Sequence, residues 1–168
     1  MGKKKHEKGA GSTPATVQLE QAGIPFKTYE YAHSNDHMDD GYGVEAATKL
    51  GFDEHQVFKT LMADTGSERV VGVVPVSGHM DLKALAAAVG AKKAAMADPK
   101  VAMRESGYVV GGISPLGQRT HHKTVLDESA LQYREILLSG GKRGFSIGIN
   151  PNDLLKVLDG MAAPIGTW

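Results

Sequence analysis

Two apolar runs constrain this chain most. Val57-Phe58-Lys59-Thr60-Leu61-Met62-Ala63 and Arg69-Val70-Val71-Gly72-Val73-Val74-Pro75-Val76 follow one another across Asp64-Thr65-Gly66-Ser67, a turn composition. Both carry apolar side chains on both faces, so they read as a central hairpin. Lys59 is the anomaly in it. Strand parity puts Lys59 on the face shared by Val57 and Leu61, pointing its ammonium at whatever they pack against. Burying an unpaired charge is costly. Such a lysine either snorkels at a strand end, pairs with an acid or lines a ligand cleft, and these readings stay open.

A chain of 168 residues is one ordinary domain, long enough to fold without covalent staples. There is no cysteine, which excludes disulfides, thiolate zinc sites and an enzyme-borne thiol nucleophile, and fits a reducing cytoplasm. No apolar run approaches the ~20 residues that a membrane-spanning helix needs. Met1-Gly2-Lys3-Lys4-Lys5-His6-Glu7-Lys8 has basic residues with no apolar segment behind them and does not read as a signal peptide. With 19 basic and 19 acidic residues, a nucleic-acid partner would need a local basic patch.

Residues 1–12 read as a disordered basic tail and 161–168 as a C-terminal tail, leaving one domain over 13–160. A cap followed by proline predicts helices at Thr13-Pro14, Asp98-Pro99 and Asn150-Pro151, and Asp81 caps another over 82–89. A further short helix is expected over Val44–Leu50, and strands over 24–31, 91–97, 123–127, 135–139 and 145–149. Short strands alternating irregularly with short helices indicate an α+β or mixed α/β fold. His33 and His37 stand four apart beside acids, with no third ligand at a recognised spacing, so no metal is assigned.

Two glycine-rich stretches remain. Tyr108-Val109-Val110 reads as a strand entering Gly111-Gly112-Ile113-Ser114-Pro115-Leu116-Gly117-Gln118, which offers bare backbone N–H groups to a ligand. Ser139-Gly140-Gly141-Lys142-Arg143-Gly144 reads either as a hairpin turn or as a phosphate-binding turn. Neither fits a nucleotide phosphate loop, and no Gly-x-Ser-x-Gly elbow exists. His121 and His122, adjacent and pointing opposite ways on a strand, are taken as surface residues. They stand with Lys92, Lys93, Arg119, Lys123, Lys142 and Arg143 as a basic rim of the kind a neutral nucleic-acid binder needs.

Six segments together resemble the YbaK/EbsC family. They are Val57–Leu61, Val74–Lys83, Ala91–Lys93, Met96–Pro99, Gly107–Gln118 and Ser139–Gly144, in register from about Thr13 to Asp159. The resemblance implies an α+β fold: a single compact domain around a mixed β-sheet or partial barrel with flanking short helices, similar to the editing domain of prolyl-tRNA synthetases. It implies a trans-editing deacylase that clears Cys-tRNA(Pro), and also Cys-tRNA(Cys), in the cytoplasm without a cofactor. The substrate's own thiol would attack the ester. Lys59, Gly111 and Gly112 then stand as catalytic positions, with Tyr31, Tyr42, Thr60, Ile113, Ser114, Pro115, Ser139, Gly140, Gly141, Lys142, Arg143 and Ser146 around the substrate. The partners implied are a tRNA acceptor end and prolyl-tRNA synthetase, with the protein a monomer or weak homo-oligomer. Ser146 departs from the family, whose best-known members carry aspartate there. Two alternatives stay open: water-driven deacylation of another mischarged tRNA such as Ala-tRNA(Pro), and a non-catalytic module that binds tRNA or a synthetase.

Overall fold

The computed structural model describes residues 12–32 and 42–168. Residues 1–11 of the expected tail, together with His33 and His37, lie outside the described residues. The expected hairpin forms from β-strands numbered in chain order, β2 (Phe58–Asp64) and β3 (Arg69–Pro75), antiparallel with Lys59 opposite Val74. Asp64 closes the turn by accepting from the Gly66 N–H at 2.7 Å. Around the hairpin grows a five-stranded mixed sheet. β5 (Ala95–Met96) lies antiparallel on the outer edge of β2, and β6 (Lys123–Asp127) runs parallel to β3. β9 (Met161–Ala163) adds a second parallel edge beyond β6.

A second, antiparallel sheet has the order β1 (Lys27–Glu30), β8 (Phe145–Ile149), β7 (Ile136–Lys142). One isolated bridge, Val57 to Leu137, joins the two sheets. Among the described residues no pairing closes them into a barrel, so the fold is a mixed sheet and not a barrel.

The two faces of the hairpin serve two cores. Phe58, Met62, Val71 and Val73 pack with Leu138, Ile147 and Ile149 of the second sheet. The same core takes Leu19 of α1 (Pro14–Ala22) and Leu154 of α5 (Pro151–Leu158). Ala63, Val70 and Val74 pack on the opposite side with Val125, Ile165 and Leu85 of α3 (Leu82–Ala88). The helix starts follow their caps. Thr13 and Thr16 bond each other's backbone N–H reciprocally, and Asp81, Asp98 and Asn150 each accept from the first turn of α3, α4 (Pro99–Ser106) and α5. The helix α2 (Tyr42–Leu50) begins two residues before its expected start.

Four expectations need correction. The strand over 24–31 shortens to β1, because Ile24 caps α1 through Leu19 O and Pro25 has no N–H to give a ladder. The strand over 91–97 shortens to β5. Tyr108-Val109-Val110 is not a strand: the Tyr108 hydroxyl bonds Leu116 O at 2.7 Å and the chain turns, with Gly112 N–H on Val109 O. Residues 161–168 are not a loose tail. They supply β9 and β10 (Gly166–Thr167), the latter paired with β4 (His79–Met80), and Ile165 is fully buried.

Asp127 explains that C-terminal segment. It is buried, and its carboxylate accepts from Ser129 N–H and hydroxyl on one oxygen and from Ile165 and Gly166 N–H on the other. Asp127→Ala orphans the buried Ile165 amide and should cost about 3 kcal/mol, at the upper end for bonds to a charged group. A urea midpoint, with amide exchange at Ile165, checks this; an unchanged midpoint would mean that the carboxylate does not hold the segment.

Candidate active site

Beyond the Val57–Leu137 bridge lies a cavity of about 330 Å³ between the two sheets. β2 supplies one wall, β7 and β8 another, and α2, the start of α4 and the loop at 110–113 the rest. Most of the lining is apolar, from Phe58, Met62, Ala102, Leu138 and Phe145 among others. Such a lining with few polar groups is the ordinary composition of a small-molecule pocket.

Lys59, half-buried in β2, lines this cavity. It makes no ion pair or side-chain hydrogen bond among the described residues, and burial alone pulls its pKa below the ordinary lysine value. Of the three readings, its place on the cavity wall favours the ligand cleft. Thr60, next on the strand, borders the same cavity, with its hydroxyl oxygen buried and unpartnered among the described residues. A buried hydroxyl without a partner costs free energy that a ligand's polar group can recover. Tyr31 borders the cavity from the end of β1, and burial is the main cause that raises its phenol pKa, with Glu45 adding to it, so the ring stays neutral.

The loop over 110–118 has no regular structure, yet it is held at every second carbonyl. Arg143 donates to Val110 O through Nε at 2.9 Å and Nη2 at 2.6 Å. Ser139 Oγ donates to Gly112 O at 2.9 Å, Gln118 Nε2 to Ser114 O at 2.9 Å, and Tyr108 Oη to Leu116 O at 2.7 Å. A trans peptide sets its N–H opposite its C=O. Anchoring the carbonyls of Val110 and Gly112 therefore turns the N–H groups of Gly111 and Ile113 the other way. Both residues line the cavity, and both N–H groups are without a partner among the described residues. The next peptide ends at Pro115, which has no N–H.

The two glycines thus divide their work. Gly111 has φ 91, a left-handed conformation, and presents its amide. Gly112 spends its N–H on Val109 O, and a Cβ there would stand 2.8 Å from Lys142 Cα. Its task is close approach to the β7–β8 hairpin. Sequence reasoning put Gly112 beside Gly111 among the catalytic positions; in the structure its N–H is engaged with Val109 O, whereas that of Ile113 has no partner among the described residues.

The cavity brings together Tyr31, Lys59, Thr60, Gly111, Ile113, Ser139, Lys142 and Ser146. Ser146 is buried, opposite Ser139 in the β7–β8 register, and adds a neutral hydroxyl residue where a carboxylate was the family pattern. Ser114 and Pro115 are buried behind the wall, with Ser114 Oγ accepting from Leu116 N–H. Gly140 and Gly141 form the irregularity in the hairpin: Gly140 O accepts from Thr13 Oγ1, and Gly141 N–H donates to Ser139 Oγ. Lys142 Nζ lies 5.6 Å from the centre of the Phe145 ring. Tyr42 opens α2, and its side chain lies outside the described part. Of the expected basic rim, Lys123 lies 3.2 Å from Glu68, and His122 is buried and not on the surface. Its burial, just before β6, comes with contacts to Gln118 and Glu105 that strand parity does not see. The apolar lining was missed as a set, although Phe58 sits inside one motif that flagged the site and Phe145 directly follows another.

Comparison with known proteins agrees with this geometry. The family model for the aminoacyl-tRNA editing domain matches residues 41–157. A protein of Enterococcus faecalis that carries the name Cys-tRNA(Pro)/Cys-tRNA(Cys) deacylase EbsC is 39% identical over 170 residues, covering 99% of each chain. A solved structure described as a trans-editing enzyme for prolyl-tRNA synthetase is 25% identical, with a TM-score of 0.79 over 94% of this chain and 99% of the other. The protein APE2540 shares the fold at 19% identity, with a TM-score of 0.81 over 92% of this chain and all of its own. Matched across most of its length by that family model and end to end by a relative, the chain belongs to the aminoacyl-tRNA editing domain family.

Proposed function

We propose that this protein is a trans-editing deacylase that clears cysteine from tRNA(Pro), and from tRNA(Cys), using the thiol of the substrate as nucleophile. One observation carries the reading: half-buried Lys59 shares a cavity with the N–H groups of Gly111 and Ile113, all three without a partner among the described residues, and the sequence holds no cysteine to supply a sulfur nucleophile. The cysteinyl thiol loses its proton and its sulfur attacks the ester carbonyl. The carbonyl oxygen becomes an oxyanion that the N–H groups of Gly111 and Ile113 stabilise. Collapse expels the ribose oxygen, which takes up the proton, and leaves a four-membered thiolactone. Ring strain limits the help from proximity, so oxyanion stabilisation has more to supply.

Lys59 holds the phosphate or ribose of the terminal adenosine, as a compact and mobile point charge does well. Thr60, Ser139 and Ser146 face the substrate with neutral hydroxyl residues, and the apolar lining takes the thiol and methylene. Lys142 borders the same cavity toward the acceptor end. The tRNA acceptor end is the partner of the site. Prolyl-tRNA synthetase presenting that end, a cytoplasmic setting and a monomeric or weakly associating protein complete the proposal. Editing of this kind is needed because a synthetase pocket separates near-isosteric amino acids by only ~1–3 kcal/mol.

The test is single-turnover deacylation of Cys-, Ala- and Ser-tRNA(Pro) by the purified protein. Loss of the cysteinyl ester alone is expected. Hydrolysis of Ala- or Ser- but not Cys-tRNA(Pro) would replace thiol attack by water attack, and loss of none would leave only a binding module.

Lys59→Ala should lower the single-turnover rate by roughly 100-fold or more, in the range seen for a lost electrostatic contact. Its thermal midpoint should be equal to or above that of the wild type, because a desolvated charge has gone. A variant with full activity would remove Lys59 from the mechanism.

Lys59 also predicts a pH effect. Its folded pKa is lowered, so between that value and the usual lysine value of ~10.4 the unfolded chain binds more protons than the folded one. Stability owed to Lys59 therefore rises with pH across that window. The advantage of Lys59→Met over wild type in denaturant midpoint should shrink as pH climbs toward about 10.4; a gap independent of pH would mean that burial does not depress the lysine.

Gly112→Ala should slow deacylation because its Cβ would press on the backbone of Lys142 and Arg143 and push Gly111 and Ile113 out of line. The expected kinetic signature is a fall in kcat with KM little changed, since oxyanion donors act in the transition state. An unchanged kcat would show that the loop absorbs the methyl without moving its donors.

A further inference from the structure

His122 has no part in the chemistry above, yet it is 8% exposed and both of its ring nitrogens are engaged. Nδ1 lies 2.7 Å from Gln118 Oε1, and Nε2 lies 2.8 Å from Glu105 Oε1. The Gln118 amide cannot be turned round, because its Nε2 donates to Ser114 O at 2.9 Å and the opposite orientation would set two carbonyl oxygens together. Gln118 therefore presents an acceptor to Nδ1. Glu105 likewise offers only acceptors. Its carboxyl is held down to about 2, chiefly by its hydrogen bond from Arg69 and next by that from His122, so it carries no proton to donate. The ring thus stands as a link between the loop and α4, bonded at each nitrogen.

We infer that His122 is a positioning residue whose ring, bonded at both nitrogens, ties the Ser114–Gln118 end of the cavity loop to Glu105 on α4 and so braces the wall that carries Gly111 and Ile113. The proposal rests on the deacylase reading only for its effect on catalysis. The charged groups around the ring fit it. Glu105 faces it from α4, with the other oxygen of that carboxylate taken by Arg69 of β3, whose Nη1 also lies 3.6 Å from Asp64 of β2. Lys123, next in sequence, turns to Glu68. His122 O accepts from Thr124 Oγ1, which fixes the residue at the entry to β6.

Without the ring, Gln118 has no path to Glu105, and the link between the loop and α4 is lost. What remains are the contacts of Tyr108 on Leu116 O and of Gln18 on Gly117 N–H, which hold the loop farther along.

The test compares wild type with His122→Phe, which fills the space of the ring and bonds neither partner, and its first readout is independent of turnover. Amide exchange at Leu116 and Gly117 should be about tenfold faster in the variant. Its kcat should fall with KM little changed, as expected when oxyanion donors lose their alignment. Gln118→Ala combined with His122→Phe should be no worse than either alone, since both cut one chain of contacts. Equal exchange in the two proteins, or a double variant in which the two losses add, would overturn the proposal. Absent deacylation in the wild type would sink the proposed function and leave the exchange measurement to judge the brace.

Discussion

The alternation of anchored carbonyls along the loop is the constraint on which the site depends. A segment with no ladder and no helix of its own has its backbone oxygens at 110, 112, 114 and 116 taken by side chains of Arg143, Ser139, Gln118 and Tyr108. Those side chains come from the β7–β8 hairpin and from the loop and its entry, and of the four only Ser139 also lines the cavity. Planarity of the peptide does the rest, converting a fixed carbonyl into a fixed N–H on the opposite side. A catalyst made of backbone needs this kind of support, because it has no side-chain rotamer to fine-tune.

Lys59 depends on the same arrangement from the other wall. The hairpin that carries it is packed on both faces, so a charge there is paid for in desolvation and is tolerated only where the strand leaves the packed core and borders the cavity. The single bridge between Val57 and Leu137 marks that place. On one side of it the two sheets share a core; on the other they part and leave room for a ligand.

Much of this was legible in the sequence. The hairpin declared itself because its strands are apolar on both faces, and the helices because a capping residue precedes proline. Lys59 stood out as a charge in an apolar run, and the glycines as bare backbone. What stayed hidden depends on contacts far along the chain. Residues 161–167 look like a tail because their strands are two and three residues long and their anchor, Asp127, lies 38 residues earlier than Ile165. Tyr108-Val109-Val110 looks like a strand because propensity cannot see that no sheet edge is offered to it. That Arg143 reaches the carbonyl of Val110 is likewise revealed by nothing local in its glycine turn. His122 was assigned by strand parity to a residue just outside the strand.

The bridge between Val57 and Leu137, and the pairing of Lys27–Glu30 with Phe145–Gly148, also bear on how the molecule comes to exist. The first joins residues 80 apart in sequence and the second residues 115 to 121 apart, and loop closure must be met before such pairings stabilise anything. The cavity draws its walls from residues 31 to 146, so no fragment short of nearly the whole domain contains it. Partly folded chains therefore expose strand edges and apolar faces without any binding competence. For this architecture, assembly of the active centre and completion of the fold are one event.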